Sequence, residues 1–201
     1  MISFFNSLWG GIVETSFIEF VAVFSTTIYV FLAAKRMLLC WLFAFIGSSL
    51  FVYLCYISQL YIESILQLFY VVMAVIGWLS WKDLNSNHFN IKKWSFYKHL
   101  IIIIFSSIIT LNLGFIFDKY SNQVNPYIDA GTTCFSLVAT YMVTKKIIGN
   151  WIYWIFIDLV SMYLYAERSY YLTAVQYGVF SLLALYGFIT WQNEYKRQNK
   201  C

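Results

Sequence analysis

Asp158 is the residue from which a chemistry can be read. It lies near the middle of a run, Asn150 to Tyr165, made after the opening asparagine otherwise of Trp, Tyr, Ile, Phe, Leu, Val and Met with one serine. Such a run is long enough to approach the far side of a bilayer, and a carboxylate near its centre costs about 2.5–3.5 kcal/mol on insertion scales. A residue held there at that cost points to a task. At helical three- and four-residue spacing, Trp151, Trp154, Asp158, Ser161 or Met162, and Tyr165 share one stripe. A carboxylate beside two indoles and a phenol can balance a positive charge, accept hydrogen bonds from hydroxyls and stack on a flat ring. The chemistry implied is recognition of a flat, cationic or hydrogen-bonding solute.

The elements that must position this stripe follow from composition. Of 201 residues, 61% are hydrophobic and 11% charged, with a single proline, and the mean hydropathy is +0.69. These values place the chain among all-α polytopic membrane proteins. Residues 1–24 hold no Lys or Arg, so no cleavable signal peptide is expected. Cys40, Cys55 and Cys134 fall inside apolar runs and Cys201 is the last residue, which is neither a disulfide framework nor a metal pattern. His88 and His99, eleven residues apart with no carboxylate at ligand spacing, predict no metal site. No HExxH, GxSxG or nucleotide-binding glycine loop is present, and the central carboxylate has no acid–base partner, so neither an enzyme nor a cofactor is expected.

Seven spans are predicted, at about 16–34, 37–58, 64–81, 99–117, 127–144, 149–165 and 170–191. The loops after the first, third and fifth, with the C-terminal tail, hold eleven of the thirteen Lys and Arg; only Lys119 and Arg168 lie on the other side. The formal charge of +4 is thus a topology signal, not a nucleic-acid footprint, and places the N-terminus outside and the C-terminus in the cytoplasm. Sliding the chain by 110 residues matches Glu19 with Asp129, Lys35-Arg36 with Lys145-Lys146, Trp41 with Trp151, Tyr53 with Tyr163, Tyr61 with Tyr171, Gly77 with Gly187, and Trp81 with Trp191. One period contains four spans, so both copies enter the membrane in the same direction. The expected architecture is a single transporter domain. Repeat 1 covers about 16–81, a linker loop and helix about 82–117, repeat 2 about 127–191, and a polar tail 192–201. Parallel three-helix repeats facing a central cavity are the SWEET-like, 3+1+3 plan.

The pattern Asn150, Trp151, Trp154 followed by Asp158 resembles the hallmark of PnuC-type vitamin transporters. So do Gln67-Leu68-Phe69-Tyr70 leading to Gly77, Trp78 and Trp81, and Tyr171 to Gln176-Tyr177 leading to Gly187 and Trp191. The resemblance covers about 17–191. It implies a 3+1+3 fold and facilitated uptake of a vitamin precursor, usually nicotinamide riboside, feeding NAD synthesis across a bacterial inner membrane. Relatives carry thiamine or riboflavin. It further implies transport without an ion gradient, solute trapping by phosphorylation, and a homotrimer as the assembly to test.

Nicotinamide riboside offers a pyridinium ring, a carboxamide and ribose hydroxyls. Trp154 is the expected ring contact, at about 2 kcal/mol for a desolvated cation–π pair. Asp158 suits the charge or the hydroxyls, and Gln67 and Gln176 suit the amide or diol. Trp151, Asn150, Tyr70, Tyr163 and Tyr177 complete the candidate set. Each competes with a plainer role: Asp158, Gln67 and Gln176 as interhelical hydrogen-bond partners, and Trp151 as a membrane-interface residue. Trp78, Trp81 and Trp191 are read as interface belt, and Glu19 and Asp129 as outer helix-end carboxylates. A non-transporting receptor or scaffold is the rival from another class.

Overall fold

The computed structural model describes residues 16–58, 61–82, 90–121, 125–168 and 170–200, and is all-helical apart from one isolated β-bridge. The helices are α1 (Phe17–Ala34), α2 (Cys40–Ile57), α3 (Tyr61–Lys82), α4 (Phe96–Tyr120), α5 (Pro126–Thr144), α6 (Asn150–Glu167) and α7 (Tyr171–Gln198). His88 lies outside the described residues.

Local chemistry fixes the ends. Ser16 caps α1, its Oγ accepting from Glu19 N at 3.2 Å, with Glu19 itself in the first turn. Pro126 opens α5, where its missing N–H is no loss. Helices α1 and α5 end alike. Arg36 and Lys146 take φ of 62° and 59°, and behind them Met37 N donates to Leu32 O at 3.0 Å and Ile147 N to Met142 O at 2.9 Å. This left-handed C-cap reverses the chain within a few residues, at positions 110 apart.

Five helical segments are long and apolar enough to cross a membrane: 17–34, 40–57, 63–82, 96–120 and 171–198. Helices α5 and α6 are less apolar. α5 carries Asp129, Thr132, Thr133, Ser136 and Thr140, and α6 carries Asn150, Asp158 and Ser161. α6 buries Asn150, Asp158 and Ser161, and α5 buries nine residues, Ser136, Thr140 and Thr144 among them, where α4 buries two. α7 runs on to Gln198, through the stretch expected to be a tail, because Glu194 pairs with Arg197 one turn on and with Arg36 of the α1–α2 turn.

The contacts set out a plan. α2 packs on α1 and α3, α6 packs on α5 and α7, and the two groups meet through α1 against α7 and α3 against α5. α4 packs on α5. Exchanging α1, α2, α3 for α5, α6, α7 leaves the contacts among these six helices unchanged, while α4, on α5 and with no matching contact on α1 among the described residues, stands outside the exchange. Where α2, α3, α6 and α7 converge, Trp41 meets Trp81 edge-on at 5.1 Å, Trp151 meets Trp191 edge-on at 5.5 Å, and Trp81 joins Trp191 at 6.1 Å. Trp81 and Trp191 are 0% exposed. They are core residues rather than interface belt, and Trp78 packs against the same core. Gly77 and Gly187 make room for the first pair of rings: a Cβ on either would run into the indole of Trp41 or Trp151.

Candidate functional site

A cavity of about 90 Å³ lies between α1 on one side and α6 and α7 on the other. α1 contributes Thr26, Tyr29, Val30 and Ala33; α6 contributes Trp151, Trp154 and Asp158; Phe180, Ala184 and Val143 complete the lining. The three α6 residues come together because their spacing puts them on one face, and that face is directed inward. Asp158 is 3% exposed. No Lys, Arg or His lines the cavity, and among the described residues no ion pair reaches Asp158. A buried carboxylate facing an otherwise apolar space is a strong selector for a positive or hydrogen-bond-donating solute.

The other candidates distribute around this centre. Tyr70 is bonded to Ser136 through their hydroxyls at 2.7 Å. Tyr177 stacks on Tyr165 with centroids 5.3 Å apart and planes 11° from parallel. Neither Tyr70 nor Tyr177 lines the cavity. Gln67 and Gln176 are half-buried and outside the lining. Asn150 is buried in the α5–α6 turn, where its Nδ2 donates to Ile147 O at 2.6 Å while its Oδ1 lacks a partner among the described residues. It serves the turn. Tyr163 is 61% exposed and takes no part in the cavity; five residues beyond Asp158, it sits about 140° around the helix. Trp151 is both things at once, a member of the buried tryptophan cluster and a wall of the cavity.

At the starts of α5 and α1, Asp129 pairs with Arg168 at 3.0 Å, while Glu19 stays in the capped first turn of α1. His99 Nδ1 is 3.1 Å from the Tyr153 hydroxyl.

A sequence model of the nicotinamide mononucleotide transporter family matches residues 16–193, nearly the whole chain. The chain belongs to that family. Among relatives in the family, the nicotinamide riboside transporter PnuC of Escherichia coli is 22% identical over 210 residues, covering 90% of this chain and 87% of its own length. That of Neisseria mucosa is 22% identical over 204 residues, covering 92% of this chain and 75% of its own. The crystal structure of the vitamin B3 transporter PnuC superposes with a TM-score of 0.74 at 22% identity, over 98% of this chain and 90% of that one. The fold is shared, and the family is one of membrane transporters, not enzymes.

Within this family fold the α1 wall is what sequence reasoning missed. Tyr29 and Thr26 face the cavity from the first helix, and Tyr29 also packs on Trp41 at 5.8 Å. The signal available was a polar pair, Thr26 and Tyr29, three residues apart in a span otherwise rich in Phe and Val.

Proposed function

We propose that this chain carries nicotinamide riboside across the cytoplasmic membrane by facilitated diffusion, with the solute bound between α1 and the Trp151–Trp154–Asp158 face of α6. The observation that carries the reading is Asp158: buried, facing the cavity, and without an ion-pair partner among the described residues. A pyridinium ring brings the missing positive charge, Trp154 offers it an indole face, Tyr29 offers a hydroxyl group to the ribose or carboxamide, and Thr26, whose hydroxyl donates to Ala22 O at 2.8 Å, offers an acceptor. The family description names a mononucleotide, whereas the relatives are named for the riboside. The cavity favours the riboside here. A phosphate would have to enter a space that holds a carboxylate and no cation.

The reading includes an architecture. Two parallel repeats, about 16–81 and 127–191, are joined by the linker loop and helix at about 82–117, with the N-terminus outside and the basic turns in the cytoplasm. The contact scheme that survives exchange of α1–α3 for α5–α7, and the equal turns at Arg36 and Lys146, support the repeat. The gathering of the α1–α2 turn, the α5–α6 turn, the linker segment and the α7 end through the Arg36–Glu194, Lys92–Lys146 and Ile91–Gln198 contacts supports a single cytoplasmic face. Rocking of the repeats exposes the cavity to each side in turn, and Asp158 stays at its centre.

Calorimetric titration of the detergent-purified protein tests this with nicotinamide riboside, nicotinamide mononucleotide, thiamine and riboflavin under identical conditions. The expected result is binding of the riboside and none of the mononucleotide. Thiamine is the second reading, because it too is a flat cation that Asp158 would balance; binding of thiamine alone would replace the riboside and keep the site. Preference for riboflavin or the mononucleotide would overturn the role given to Asp158.

A further inference from the structure

The basic end of the molecule carries two equivalent turns that are fastened differently. At the α5–α6 turn the fastening is backbone: Lys92 N donates to Lys146 O at 2.9 Å, and Ile148 N to Lys92 O at 3.0 Å. The same linker segment is anchored again where Ile91 N donates to Gln198 Oε1 at 3.1 Å, and the Ile91 side chain is buried in the core. At the α1–α2 turn, with its matching left-handed residue, no such bridge occurs among the described residues. Side chains hold it to α7 instead. Arg36 Nη1 lies 2.6 Å from Glu194 Oε2, and Trp191 Nε1 donates to Ala33 O at 3.2 Å. A paired backbone bridge opens only with local unfolding, whereas an ion pair between two helices parts by rotation of long side chains. Glu194 also binds Arg197 at 2.9 Å, so its charge keeps a partner when Arg36 leaves.

The inner side of α1 gives this difference a consequence. Thr26, Tyr29 and Ala33 form the cavity wall that faces Asp158, and Ala33 is the residue whose carbonyl receives the Trp191 N–H. Moving the end of α1 away from α7 therefore unseals the cavity toward the basic end. We propose that the Arg36–Glu194 ion pair and the Trp191–Ala33 hydrogen bond form a one-sided gate, which opens by separation of α1 from α7 while the α5–α6 turn stays strapped to the linker. Passage at this end is asymmetric although the frame is symmetric. The carrier reading says what passes; the gate itself is tested without any solute, so the two fail separately.

Cys40 is a native reporter, fully buried at the start of α2, just past the α1–α2 turn. In the full-length protein in liposomes, with Cys55, Cys134 and Cys201 replaced by serine, alkylation of Cys40 by N-ethylmaleimide is followed by intact mass. Glu194→Gln and Arg36→Gln are each expected to speed alkylation by about fivefold, the scale of one partly buried ion pair acting on a two-state equilibrium. The charge swap, Arg36→Glu with Glu194→Arg, returns the rate toward that of the parent. Lys146→Gln, in the equivalent turn, leaves it within about twofold. An unchanged rate in Glu194→Gln overturns the gate, as does equal acceleration by Lys146→Gln. Should Glu194→Gln not yield folded protein, Arg36→Gln and the charge swap decide the question on the same terms.

Discussion

Helices α2 and α6 begin at equivalent positions, Cys40 and Asn150, and end at equivalent positions, Ile57 and Glu167. Each sets its second residue, Trp41 or Trp151, against a glycine of the next helix, Gly77 or Gly187. Beyond that they part. Where α6 has Trp154 and Asp158, α2 has Ala44 and Ser48. The cavity lies against α6, and no residue of α2 lines it. Residues kept at both equivalent positions hold the frame: the tryptophans at its centre, the glycines beneath them, the left-handed turns. The candidate site lies where the equivalent positions differ. α2, with Ser48 at this position, carries no charge to compensate, whereas α6 carries Asp158, buried beside the cavity.

This division can be broken most forcefully at the frame. Trp81→Ala and Trp191→Ala remove matched, fully buried rings, and each is expected to destabilise the protein by about 3–5 kcal/mol through lost packing. Thermal unfolding of the purified variants should show similar drops for both. A loss at one position and none at the other would mean that the copies share a shape but not its energetics.

The site should respond in the opposite way, strongly in α6 and weakly in α2. Asp158→Asn keeps the shape and removes the charge; it is expected to weaken riboside affinity by about 3 kcal/mol, or over a hundredfold, with unfolding temperature unchanged. Ser48→Ala, its counterpart, is expected to change affinity less than twofold, about 0.4 kcal/mol. Comparable losses in both would place the solute on the axis between the repeats instead of against α6. Trp154→Ala follows at about 2 kcal/mol, near thirtyfold, because one indole face for the pyridinium is lost while Trp151 remains. Titration with a neutral ring of the same size sharpens this step, since its affinity should fall much less in the variant.

Much of this was legible before any coordinates. Apolar runs broken by polar loops give the helices, and the 110-residue offset matches Trp41 with Trp151 and Gly77 with Gly187, although that each ring sits on its glycine is seen only in the structure. The α6 face was readable because its members share one helix, where spacing alone fixes direction. The α1 wall was not, because Tyr29 comes to share a cavity with Asp158 only after two distant helices pack, and it carries no charge to mark it. Trp81 and Trp191 misled for a related reason: at a span end, a ring in the lipid interface and a ring in the bundle core have the same sequence signature. The length of α7 depended on a partner, Arg36, lying 158 positions before Glu194, beyond any local pattern.

The smallest effect expected gives the most discriminating test of the division between frame and site. Tyr53 and Tyr163 match at the repeat offset, as the frame tryptophans do, yet they are 52% and 61% exposed and so hold nothing together. Both project from the outer faces of α2 and α6, where lipid surrounds them once the chain is in a bilayer. A matched, exposed pair should be silent in either assay. Tyr53→Ala and Tyr163→Ala are each expected to shift riboside affinity by under about 0.5 kcal/mol, within some twofold, and to leave unfolding temperature nearly unchanged. A tenfold loss of affinity in Tyr163→Ala alone would show that α6 turns this face toward the solute at some stage of transport, which rigid rocking of the repeats does not allow. The carrier would then have to rotate α6 about its own axis, and Asp158 could not remain at the centre of the site throughout the cycle.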